Sequence, residues 1–146
     1  MSLARSTAGF SQRGFSLIEI MVVVVIIGLL AAIIAPNVIG NIDRALVTRA
    51  QSDIRSIETA LNLYRLDNFR YPSTEEGLSA LVTSPGETSA PNWKRYLDSA
   101  PSDPWNNDYH YVYPGQQRDF DVFSFGADGQ EGGADIDADI GNWNLD

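Results

Sequence analysis

The stretch "RGFSLIEIMVVVVIIGLLAAIIAPNVIG", residues 13–40, decides how the rest of the chain is read. From Ile20 to Ala35 every residue is apolar or glycine, 16 positions in succession. Phe15 to Ile39 is 25 residues. A helix rising 1.5 Å per residue over that length spans the roughly 30 Å hydrocarbon layer of a membrane. The strict apolar run is short for a comfortable span, yet a signal-peptide core is only about 7–15 residues. Length therefore leaves three readings open. One is a secretory signal cut after the run, near "LLAAIIAPN". The second is an uncut anchor, its basic leader (Arg5 and Arg13, with no acid before Gly14) held in the cytoplasm. The third is a leader cut before the run, between Gly14 and Phe15.

Glu19 is the awkward residue in this stretch. A lone acid at the centre of a membrane helix costs about 2.5–3.5 kcal/mol, and less near an end. The bland reading places it at headgroup depth, where it costs little. The functional reading starts from the third cleavage. Glu19 then becomes the fifth residue of a new chain, and the new amino terminus on Phe15 is a cation of matching depth. That cation sits about one helical turn away on the same chain, or comes from a neighbour.

The remaining composition narrows the classes. The 146 residues suffice for one small domain plus an extra segment. Net charge is -9, and residues 119–146 hold eight acids and no base. Such a chain repels nucleic acid. The absence of Cys excludes disulfides and thiolate metal sites. One histidine, His110, gives little with which to build a zinc site or a Ser-His-Asp triad. No nucleotide-binding or hydrolase motif occurs. The expectation is a protein that is not an enzyme.

Residues 13–39 resemble the N-terminus of type IV pilins and type II secretion pseudopilins. The motif is specific: a basic leader, a Gly-Phe junction, an acid four residues on, then an unbroken apolar run. The resemblance implies that a prepilin peptidase cuts after Gly14 and N-methylates Phe15, and that Glu19 is the assembly acid.

A second pattern follows Pro36. Ile42, Ala45, Leu46, Ala50, Ile54, Ile57, Leu61 and Tyr64 recur at helical spacing, with charged residues between them. One long helix from about Phe15 to Asp67 is expected, apolar all round in its first half and core-facing along one stripe in its second. Gly28 and Pro36 are its weak points, with a kink at Pro36. The resemblance adds local unwinding there in filaments.

Ser73 and Glu76 have capping-box spacing, which predicts a short helix over about Thr74–Val82. Tyr109, Tyr111 and Tyr113 alternate with His110 and Val112. After the "PGQQR" turn, Phe120, Val122 and Ser124 alternate again, so an antiparallel hairpin is expected, with His110 an ordinary strand side chain. Trp93, Trp105 and Trp143 read as core plugs. "RYPSTEEGLSALV", "PNWKRYL", "DPWNNDYHYVYPG", "DVFSFGADGQEGG" and "ADIGNW" resemble the major pseudopilins of type II secretion. Type IV pilins usually close a C-terminal loop with a disulfide, which a chain without Cys does not make.

"FGADGQEGGADIDADIGNW" sets Asp128, Glu131, Asp135, Asp137 and Asp139 among five glycines. Calcium takes six to eight oxygens in a forgiving geometry, and glycines let a loop turn carbonyls inward. The competing reading is a solvated acidic tail, against which Phe125, Ile136, Ile140 and Trp143 stand as apolar anchors. An EF-hand fits poorly: Asp135, Asp137, Asp139 and Asp146 fall at its positions 1, 3, 5 and 12, but position 6 is Ile140 rather than Gly. The pseudopilin resemblance implies a different calcium site, with the carboxylates of Asp128 and Asp139 and the carbonyl of Phe125 as ligands. The family's commoner "GGEG" reads "GGAD" here, which makes Asp135 a replacement ligand, with Asp137 in reserve.

The expected fold is α+β and type IV pilin-like, a long N-terminal helix packed on a small antiparallel sheet with a C-terminal calcium-binding loop. The expected parts are a leader (1–14), a membrane and filament-core helix (15–40) and a periplasmic domain (41–146). The resemblance implies a single-pass inner-membrane precursor that assembles into a periplasmic pseudopilus and drives export of folded proteins across the outer membrane. Its implied partners are further copies of itself, minor pseudopilins, prepilin peptidase and inner-membrane platform proteins. The alternatives are a type IV pilin of a surface fibre and an uncut, signal-anchored calcium-binding module.

Overall fold

The computed structural model describes residues 14–145, and for residues 35–39 the backbone alone. The leader up to Arg13, the side chain of Pro36, and Asp146 lie outside the described residues. A helix, α1, runs over Leu17–Asn68, 52 residues, and its backbone is helical through Gly28 and Pro36. The chain divides into two units, one ending at Ile39 and one beginning at Gly40.

Within the first unit, the large apolar side chains from Leu17 to Ile34 are all exposed. The run is apolar on every face, so its own fold offers nothing to cover it.

In the second unit α1 turns amphipathic. Ala50, Ile54, Ile57, Leu61 and Tyr64 are buried, each large side chain contributing about 1.5–3 kcal/mol through burial. The stripe expected from Ile42 onward starts later than its spacing implied. Ile42 is 53% exposed, Ala45 is exposed and Leu46 only half-buried. Periodicity gives a face but does not say where along the helix the partner layer begins.

The expected helix over Thr74–Val82 is replaced by a turn and a short 3-10 helix, Leu78–Leu81. The capping box itself forms. The Glu76 amide donates to Ser73 Oγ at 3.2 Å, and the Ser73 amide donates to a Glu76 carboxylate oxygen at 2.8 Å. Gly77 then takes φ 59°, outside the helical region, so the box closes one turn and propagates no further. Arg70 binds the Glu76 carboxylate with two hydrogen bonds of 2.8 and 2.7 Å, which holds that carboxyl below the usual range.

The sheet has three antiparallel strands in the order β1 (His110–Val112), β2 (Asp121–Ser124) and β3 (Ile140–Gly141). The expected hairpin is present, with Tyr111 opposite Val122 and His110 opposite Phe123. Tyr111, Val122 and Phe120 point into the core. His110 is exposed and stacks on Phe123 with ring centroids 5.1 Å apart. The third strand was not expected. It is held by Asn142, whose amide donates to the Val122 carbonyl and whose side chain both accepts from the Val122 amide and donates to the Phe120 carbonyl. Leu145 is tied back to α1, since Arg55 donates to its carbonyl at 2.6 Å.

Trp93 and Trp105 pack half-buried against the core, while Trp143 does not join it. Its ring covers Gly141 so closely that a Cβ there would meet it at 2.5 Å. Trp143 caps the sheet rather than filling the domain.

Candidate functional site

The first candidate site is the start of α1. Gly14 and Phe15 precede the helix, Phe15 is 79% exposed, and Glu19 sits in the first turn. The Glu19 amide donates to the Ser16 carbonyl at 3.0 Å. An acid here meets unpaired amides and the positive end of the helix dipole, worth about 0.3–1 kcal/mol. Ser16 and Glu19 also have capping-box spacing, a local role that membrane depth alone does not bring to mind. Leu17–Ile34 is long and apolar enough to cross a membrane by length and composition.

The second candidate is the acidic loop between β2 and β3. Its backbone is tightly folded. Gly126 (φ 71°), Gly129, Gly132, Gly133 and Asp135 (φ 55°) all have positive φ, and a Cβ on Gly126 would collide with the carbonyl carbon of Asp137 at 2.7 Å. The Ala127 amide donates to the Ile136 carbonyl at 2.9 Å. Phe125 directly follows β2, packed on His110 and Phe123.

The expected calcium ligands all lie in or beside this loop. Asp139 receives the Gly132 amide on both carboxylate oxygens, at 3.1 and 3.0 Å. Asp128 receives the Gln130 amide at 3.1 Å. Asp135 is exposed and Asp137 half-buried. Among the described residues, no three acidic side chains group as a metal cluster. The donor chemistry suits calcium, being all oxygen.

Two acids that sequence reasoning passed over are buried and each accept at least three hydrogen bonds. Asp103, 4% exposed, accepts the amides of Trp105 and Asn107 and the hydroxyl of Ser124, the last at 2.6 Å. Asp121, also 4% exposed, accepts the amides of Gln116, Gln117 and Arg118 and so closes the hairpin turn. The only sequence signal was local, an Asx-type acid two residues before its donor at Asp103-Pro-Trp.

Two family models match the chain. Residues 9–35 match the prokaryotic N-terminal methylation motif, and residues 37–143 match type II secretion system protein G. The chain belongs to the type II secretion system protein G family. Among curated members, core protein G of Pseudomonas aeruginosa is 56% identical over 136 residues, covering 91% of this chain and 96% of that protein. Core protein G of Vibrio cholerae is 51% identical, covering 92% and 93%. The crystal structure of the major pseudopilin from enterohaemorrhagic Escherichia coli superimposes with a TM-score of 0.63 at 44% identity. That match covers 74% of this chain and 95% of the E. coli chain. The pilin-like α+β fold of the family is thus the fold of this protein, and its first family motif spans the junction that holds Gly14, Phe15 and Glu19.

Proposed function

We propose that this protein G family member is the main building block of a periplasmic pseudopilus and moves folded proteins toward the outer membrane. The observation that carries this is the apolar segment Leu17–Ile34, none of which is covered by the chain's own fold. Such a surface needs lipid before assembly and other copies of the same helix after it. The inner membrane stores the precursor, prepilin peptidase removes residues 1–14 and methylates Phe15, and Glu19 sets the axial register. Minor pseudopilins and inner-membrane platform proteins are its further partners, and the chain's role is structural rather than catalytic. Mass spectrometry of the protein isolated from cells tests this. The expected N-terminus is a methylated Phe15, whereas a retained leader would leave the signal-anchored alternative standing.

We also propose that the acidic loop binds calcium through Asp128, Asp139 and the Phe125 carbonyl, with Asp135 and Asp137 supplying further oxygens. Acid density, glycine content and the family resemblance support it. The Gly132 amide competes with a cation for the Asp139 carboxylate. At calcium a hundredfold above its dissociation constant, linkage adds about 2.7 kcal/mol. Chelation should therefore lower the Tm by roughly 10 °C in a domain of this size. A melt indifferent to chelator and to added calcium would dismiss the site.

A further inference from the structure

We propose that the groove beside the C-terminal end of α1 receives the acidic tip of the 126–139 loop from a second copy of this chain. The inference rests on the filament reading above. Phe69 directly follows α1 and has φ 59°, and its amide donates to the Arg65 carbonyl at 2.7 Å. This is a left-handed helix stop, which glycine adopts freely and a phenylalanine does not. The phenyl ring is nevertheless 87% exposed, and Leu66 beside it is 71% exposed. The domain gains nothing from either, so the return lies in a contact outside it.

The charged residues lining the groove at Phe69 are Arg65, Arg70, Arg118 and one acid, Asp119, beside Tyr113 and Pro114. Arg65 spends its hydrogen bond on the Tyr71 hydroxyl, and Arg118 makes only a 3.9 Å approach to Glu58 with 57% of its side chain exposed. Exposed aromatics flanked by arginines are the usual centre of a protein interface. Charge selects the occupant. The chain carries -9, so its copies repel unless the cations of one face the acids of the next. Glu131 is exposed at the loop tip, within a stretch that has no base, and it is the acid there that the calcium reading leaves free. In its own chain Glu131 lines a different groove, with Gln116 and Trp143. Two different surfaces of identical copies make a heterologous contact, which extends into open helical arrays.

The chain contains no Cys, so engineered thiols report a single geometry. Full-length Leu66→Cys and Gln130→Cys chains, co-expressed with the secretion machinery and oxidised after assembly, are expected to give mixed 66–130 disulfide dimers. Phe69→Gly is expected to raise the Tm of the full chain in detergent by about 4 °C while reducing filament yield at least fivefold. Filaments of normal yield with Phe69→Gly, or assembled filaments without the mixed disulfide, would overturn the contact. So would a fall in both Tm and yield, which would make Phe69 a folding residue. Absence of filaments from the unsubstituted chain would overturn the filament reading and this contact with it.

Discussion

Glu19→Gln chains are expected to be cut after Gly14 and methylated on Phe15, yet to form filaments at less than a hundredth of the normal yield. Glutamine keeps the size and shape of glutamate and stays polar, so the helix start survives. What is lost is the countercharge for the amino terminus created by cleavage. Carried among apolar helices, that terminus would be a buried cation without a partner. Removing one member of a buried pair costs about 3–5 kcal/mol, and each 1.4 kcal/mol is about tenfold in an association constant. Glu19→Asp keeps the charge on a shorter stem and should restore part of the yield. Electron microscopy of filaments, paired with the mass of the N-terminus, separates assembly from processing. Normal filaments from Glu19→Gln would show that the carboxylate is not an assembly determinant.

Asp103→Ala is expected to give the largest loss of domain stability, about 4 kcal/mol, with a Tm lower by roughly 20 °C. The substitution strands the Trp105 and Asn107 amides and the Ser124 hydroxyl at a buried position. Hydrogen bonds to a charged group contribute about 1.5–3 kcal/mol each, and at the fully buried Ser124 solvent cannot replace the one lost. Asp103→Asn keeps one acceptor oxygen and should lose about half as much. Thermal unfolding followed by circular dichroism reads both. A drop of only a few degrees in Asp103→Ala would mean that water enters and replaces the carboxylate.

Much of this architecture was legible in the residues because it depends on pattern. Ala50, Ile54, Ile57, Leu61 and Tyr64 declare one helix face, and the alternation around Tyr111 and Val122 declares a hairpin. What was not legible depends on backbone partners. Strand β3 is two residues long, too short for any period, and exists because Asn142 bonds the chain of β2. The Ser73–Glu76 box was correctly placed, but the helix expected behind it failed at Gly77, whose φ of 59° leaves the helical region. Asp103 and Asp121 look like any solvated acids in sequence, since their partners are amides that carry no residue signature. At the candidate sites the junction from Gly14 to Glu19 is a contiguous motif, and residues 9–35 match the N-terminal methylation motif. The acidic loop showed its oxygen donors but not the positive-φ turns that place them, because oxygen count is a matter of composition and placement a matter of loop conformation.

The bonds from Asn142 to β2 and from Arg55 to the Leu145 carbonyl tie residues 142–145 both to the sheet and to α1. A chain interrupted before Ile140 leaves the Val122 amide and the Phe120 carbonyl open on a sheet edge. The acidic loop is thus fastened at both ends, by β2 before it and by Asn142 and the Arg55 bond after it, so a change in the loop is felt as tension on the sheet and on α1.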